Sequence, residues 1–123
     1  MDSITEMEEK ISEWSKAHNN YVLLGGFSAA ARYAPTVRYR KINVYTEPSV
    51  YNRFVKEMDL KSVESGGNVV ITIPHDETPC MFFREINGTN VTSPVQTVID
   101  LLGSAGRGEE AADAVIMKEF EQL

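Results

Sequence analysis

The stretch YVLLGGFSAAARYAPTVRYRKINVYT, Tyr21 to Thr46, constrains the fold more than any other part of the chain. Its first four residues are apolar and stop at Gly25-Gly26, which reads as a short buried strand running into a tight turn. Phe27 to Ala34 is rich in alanine, so the helix it forms can lie close to its neighbours, and Pro35 ends it. From Val37 to Thr46 the residues alternate. The pattern predicts a strand with Ile42 and Val44 on one face and Lys41, Asn43 and Tyr45 on the other. Strand, glycine turn, helix and second strand in such quick succession require a sheet with a helix packed on it.

The flanking sequence supplies the rest of the frame. Ile4, Met7, Ile11 and Trp14 recur at helical spacing over 4–18, with Asp2 or Ser3 able to cap the start. Pro48 suits the first position of a helix over 48–58, whose apolar side is Val50, Tyr51, Phe54, Val55 and Met58. Residues 69–74 are rich in β-branched side chains and read as a strand. Strands over 81–86 and 89–92 are joined by Asn87-Gly88, a pair that tolerates the positive φ of a hairpin turn. Ser93-Pro94 opens a helix with Val95, Val98, Ile99 and Leu102 as its apolar stripe. GSAGRG breaks it, and a last helix over 109–122 sets Ala112, Val115, Ile116 and Phe120 toward the core. The order is α-β-α-β-α-β-β-β-α-α. This is an α+β class with a small mixed or antiparallel sheet flanked by helices and closed by two C-terminal helices.

The 123 residues make one domain, 1–123, and 42% hydrophobic with 24% charged residues is a globular composition. No apolar run approaches the roughly 20 residues of a membrane span. The acidic start MDSITEMEEK excludes a secretory signal, and the single Cys80 has no partner for an internal disulfide, so a cytoplasmic protein is expected. The net charge of −6 argues against autonomous DNA binding, which draws most of its non-specific affinity from basic surplus. It leaves room for a local basic patch of Arg32, Arg38, Arg40 and Lys41.

The opening stretch has the layout with which nucleotidyltransferases begin their active sites. Those enzymes hold divalent metal with two carboxylates spaced i, i+2 on one strand face. Here those positions are Lys41 and Asn43, one repelling a divalent cation and the other a weak ligand. No catalytic residue, metal ligand or cofactor is therefore assigned. Gly25 and Gly26 fit either a phosphate turn at a helix N-terminus or a plain tight turn. The basic run has three readings. It can contact nucleic acid with Tyr33, Tyr39 and Tyr45 as stacking platforms, pair with an acidic protein, or be a solvated face. The binding candidates are Arg32, Tyr33, Arg38, Tyr39, Arg40 and Lys41. A divergent metal-dependent nucleotidyltransferase would have to use Asp76, Glu77 or Glu85 instead. A nucleotide sensor would set the cations in place of the metal. His18 and His75 lack ligand spacing, and Arg107 is placed to bridge Asp100 or Glu110.

LGGFSAAARYAPTVRYRKINVYT, ESGGNVVITIPHDE and VTSPVQTVIDLLGSAGRGEEAADAVI, taken in order, resemble the C-terminal domain of AbiEi-family proteins, over about residues 21–118. The more specific parts are GGN at 66–68, SPVQ at 93–96, Asp100-Leu101 and GRGEEAA at 106–112. The resemblance implies a transcriptional regulator and antitoxin of a type IV toxin–antitoxin system, with a degenerate nucleotidyltransferase-like fold. It further implies that this domain normally accompanies an N-terminal winged helix-turn-helix, which the sequence does not contain. Partners would then be nucleic acid engaged together with a DNA-binding module, a protein, or a second copy, with no membrane involved.

Overall fold

The computed structural model describes residues 4–19, 21–35, 37–61, 67–74, 82–104 and 106–120. Cys80, His75, Asp76 and Glu77, with the expected helix caps Asp2 and Ser3, lie outside them.

The apolar run after Tyr21 becomes β1 (Val22–Leu24), whose three residues are each 1% exposed. That burial makes it the middle strand of the five-stranded sheet. β2 (Ile42–Thr46) pairs with it antiparallel, Leu23 opposite Tyr45. β3 (Val69–Thr72) runs parallel to β2, Asn43 opposite Val70. On the other side of β1 stands β5 (Thr89–Val91), parallel, and outside it β4 (Arg84–Ile86), antiparallel. The spatial order is β3-β2-β1-β5-β4, a mixed sheet. Asn87 and Gly88 take φ of 50° and 84°, the two positive values that the β4–β5 hairpin turn demands.

Five helices are seen among the described residues. α1 (Ile4–Ala17) packs on β1 and β5, where Ser15 Oγ donates to the Val22 carbonyl at 2.6 Å. α3 (Tyr51–Glu57) follows a 3-10 turn, Pro48–Val50, and is tied to α1 through Trp14. The Trp14 ring stacks on His18 at 3.7 Å and meets Phe54 edge-on at 5.1 Å, and its indole N–H donates to Glu57 Oε1 at 2.9 Å. α2 (Gly26–Tyr33) lies against β2 and the last two helices, α4 (Pro94–Leu102) and α5 (Gly108–Glu119), which pack on each other. Ala29, Ala30, Ala111 and Ala112 are all buried, and their small side chains permit these close crossings. The order of elements and the α+β class are those the sequence predicts.

Three expectations are corrected. The strand begins at Ile42 rather than Val37. Pairing with β3 starts where Ile42 N–H donates to the Asn68 carbonyl at 2.8 Å, and residues 37–41 have no ladder partner among the described residues. Burial still alternates over 37–40, Val37 and Tyr39 inward and Arg38 and Arg40 outward, so the pattern was real but a strand also needs a neighbour. Of the stripe expected on α4, Val95, Ile99 and Leu102 are 57%, 58% and 57% exposed, whereas Pro94, Thr97 and Leu101 are buried. Polar anchors choose that face. Thr97 Oγ1 lies 2.7 Å from Thr92 Oγ1 and donates to the Ser93 carbonyl at 2.8 Å, and Ser93 Oγ caps the helix by accepting from Gln96 N–H. On α5, Phe120 is 42% exposed, and Ala111 takes the core position instead.

Thr46 is fully buried in β2, and its Oγ1 has no hydrogen-bond partner among the described residues. An orphaned buried hydroxyl costs roughly 1–3 kcal/mol. Thr46→Val, nearly the same shape, is expected to raise the unfolding midpoint by a few degrees. A lower midpoint in thermal unfolding would mean the hydroxyl has a partner.

Candidate functional site

The short connection from α2 to β2 carries Val37, Arg38, Tyr39, Arg40 and Lys41, and its alternation sends the charged residues outward. They border a cleft of about 330 Å³. Arg38, Arg40 and Lys41 line it, as do Ser104 and Arg107 of the α4–α5 connection. Phe27, at the start of α2, and Tyr39 supply an aromatic wall, their rings nearly parallel (17°) with centroids 6.5 Å apart. Asn43 and Val70, opposite each other across the β2–β3 pair, complete the lining.

Tyr39 is fixed from behind. Its hydroxyl lies 3.0 and 2.9 Å from the two oxygens of Glu8, a carboxylate of α1 with 0% exposure. Arg32 Nη1 donates to the same carboxylate at 2.6 Å. Burial, then the Glu8 charge, pushes the Tyr39 hydroxyl up to about 12, so at neutral pH it stays protonated and donates to Glu8. The triad joins α1, α2 and the connection, and it sets the ring that forms the cleft wall.

The glycine turn is shaped by the strand behind it. A Cβ on Gly25 would come within 2.8 Å of the Tyr45 ring. Gly26 has φ of +49°, and a Cβ there would sit 3.0 Å from Asn43 Cγ. Gly25 N–H donates to the Asn43 carbonyl at 2.9 Å, and Asn43 N–H to Ser28 Oγ at 3.1 Å. Both glycines are buried, and Phe27 is the first residue after this turn that lines the cleft.

Of the residues singled out from the sequence, Arg38, Tyr39, Arg40 and Lys41 therefore come together at one cleft. Arg32 stands behind it, on Glu8. Tyr33 is 5% exposed and donates to the Thr92 carbonyl at 2.7 Å, with burial again pushing its hydroxyl up to about 12. Tyr45 is 9% exposed and donates to Asp100 Oδ2 at 2.6 Å, and Gln96 Nε2 donates to Asp100 Oδ1 at 2.9 Å. With Asp100 engaged there, Arg107 bridges Glu110 instead, at 2.6 Å and exposed, a pair that contributes little to stability. Phe27 and Ser104 were missed. Both look like ordinary packing or turn residues in one dimension, and only the return of the α4–α5 connection toward β2 brings Ser104 to the site.

The electrostatics of the cleft are one-sided. Elsewhere or at its rim, cations meet carboxylates: Lys16 with Glu85, Arg32 with Glu8, Arg53 with Glu57, Arg84 with Glu119 and Arg107 with Glu110. Among the described residues Arg38, Arg40 and Lys41 form no ion pair, and no acidic residue lines the cleft. Glu85 stands on β4, at the opposite edge of the sheet from the β2–β3 pair. No group of three or more potential metal ligands occurs among the described residues. No described helix is long and apolar enough to cross a membrane.

A family model for the transcriptional regulator and AbiEi antitoxin of type IV toxin–antitoxin systems matches residues 3–121. The chain belongs to this AbiEi family. The match spans nearly its whole length, including the residues of the cleft and of the Glu8 triad. No curated protein and no solved structure shows a significant match.

Proposed function

We propose that this AbiEi domain regulates by binding rather than by catalysis, and that the basic cleft is the surface through which it engages an anionic partner. The observation that carries the reading is the gathering of Arg38, Arg40 and Lys41, without carboxylate partners among the described residues, around a cleft that Asn43 of β2 also lines. Cations left unneutralised at one place attract anions and repel a divalent metal. Transcriptional regulator and antitoxin are the roles of the family. In such a system the domain would act in the cytoplasm, on nucleic acid alongside a DNA-binding module or on a protein partner.

The test is a charge reversal. Arg38 and Arg40 are exposed, so Arg38→Glu with Arg40→Glu leaves the core untouched. The expected result is loss of promoter repression or of protection against the cognate toxin, with circular dichroism and thermal unfolding unchanged. Full retention of both activities would remove the cleft from the function.

A further inference from the structure

The chemistry of the cleft narrows the class of its anion. We infer that the cleft binds a free nucleoside polyphosphate, without divalent metal, making this regulatory domain a nucleotide sensor. The inference rests on the reading of the cleft as an anion site.

Four observations carry it. First, the size suits a small ligand. About 330 Å³ falls at the lower end of the volumes of small-molecule clefts, which run from about 300 Å³ upward. It holds a phosphate chain with part of a nucleoside. Second, the charge is concentrated and converges from two places in the chain. Arg38, Arg40 and Lys41, unpaired among the described residues, stand on the α2–β2 connection, and Arg107, whose Nε is engaged by Glu110, lines the same cleft from the α4–α5 connection. Guanidinium groups bind phosphate oxygens through paired N–H donors, and lysine adds a mobile point charge.

Third, an aromatic surface stands in the same cleft. Phe27 and Tyr39 are nearly parallel, and Tyr39 is held in place by Glu8. A base stacks on such a surface whatever its identity, because every base has a π-face. An inorganic phosphate or an acidic peptide makes no use of it. Fourth, the wider chain disfavours a long polyanion. It carries 18 acidic residues and a net charge of −6, so a nucleic-acid strand leaving the cleft runs into repulsion, whereas a ligand that ends within the cleft does not.

The cations that line the cleft set the expected metal dependence. In a nucleotide-processing site, metal neutralises the phosphates and carboxylates hold the metal. In this cleft the protein's own cations meet the phosphates. Magnesium already bound to a triphosphate reduces its charge and competes with them, so the free nucleotide binds more tightly than its magnesium complex.

The experiment is calorimetric titration and thermal unfolding of the full chain with ATP, GTP and inorganic tripolyphosphate, in chelator and then with excess magnesium. Expected are saturable binding of ATP and GTP in chelator, a midpoint raised by several degrees at about a hundred times the dissociation constant, and weaker binding once magnesium is added. Arg38→Glu with Arg40→Glu should abolish binding while preserving the melt of the free chain. Phe27→Leu, which keeps an apolar side chain but removes the ring, should weaken ATP roughly tenfold and leave tripolyphosphate unchanged. Binding only in the presence of magnesium, no binding at millimolar nucleotide, or undiminished binding by the charge-reversed protein would each overturn the inference. Binding of a single-stranded oligonucleotide with none of free nucleotide would also overturn it, yet would leave the cleft as the anion site of the regulatory domain. Loss of the Arg38/Arg40 dependence of repression and protection would instead remove that broader reading.

Discussion

Replacing Glu8 with alanine is expected to lower the unfolding midpoint by roughly 10–20 °C. Glu8 has no solvent exposure, and it holds both Arg32 and the Tyr39 hydroxyl. Taking away one member of a buried ion pair costs about 3–5 kcal/mol, because the remaining charge stays desolvated without compensation. The Arg32 side chain keeps 17% of its surface in water, which moves the expectation toward the lower half of that range. Against a total stability of about 5–15 kcal/mol, the loss is still large. A 1 kcal/mol change moves the midpoint of a domain of this size by a few degrees, which gives the shift quoted.

The same reasoning predicts a rescue. Pairing Glu8→Leu with Arg32→Met removes both charges, and adding Tyr39→Phe removes the hydroxyl that would otherwise lose its acceptor. A buried pair exchanged for apolar groups of similar volume is often neutral or stabilising, so the triple variant should melt close to the parent. Thermal unfolding of the four proteins decides the matter. A Glu8→Ala midpoint within a degree or two of the parent would show that the triad does not support the fold, and a triple variant no better than Glu8→Ala would show that packing, not charge, dominates there.

The Glu8 triad also marks the boundary of what the sequence made legible. Element order could be read because each element carries its own local signal. Asn87-Gly88 specifies its turn by backbone conformation, Ser93-Pro94 its helix start by a cap, and the apolar run after Tyr21 its strand by burial. Contacts between distant segments carry no such signal. Glu8 lies in an acidic helix beside Glu6 and Glu9, both exposed; its spacing of four from Ile4 and three from Ile11 sets it on the apolar side, but no local signal names the partners that hold a charge there. Arg32 reads as one of four equivalent cations until its partner is seen, and so do Tyr33 and Tyr45 as platforms until their hydroxyls are found on Thr92 and Asp100. Helix α4 failed for a related reason. It has apolar residues on two adjacent faces, and the hydroxyl of Thr97, a residue that periodicity treats as polar, selects the buried one. Arg38, Arg40 and Lys41 were legible because a cluster contiguous in sequence stays together in any fold.

Gly108→Ala carries the second large effect, and the two levels of description disagree about its sign. Gly108 is the first residue of α5, and alanine is better than glycine in a helix by up to about 1 kcal/mol, so propensity alone predicts stabilisation. The packing predicts the reverse. A Cβ at Gly108 would overlap the carbonyl oxygen of Leu101 and sit 3.1 Å from the Ser104 Cβ. That carbonyl cannot step aside. It already accepts from Ser104 N–H at 3.0 Å, and Leu101 is fully buried in the core. The beginning of α5 must therefore move away from the end of α4, loosening a crossing that Ala111, Ala112 and Val115 fill without exposed surface. Overpacking of this kind costs about 1–3 kcal/mol, and a clash with fixed backbone belongs at the upper end. Gly106 provides the control. It has φ of +75° with nothing within 4 Å of an added Cβ, so alanine there meets only the left-handed strain of about 1–2 kcal/mol. Gly108→Ala is expected to melt lower than Gly106→Ala, and to weaken anion binding too, since Arg107 moves with the start of α5. A Gly108→Ala protein more stable than the parent would show that the α4–α5 crossing has slack, and the Arg107 side of the cleft would then be adjustable rather than fixed by backbone contact.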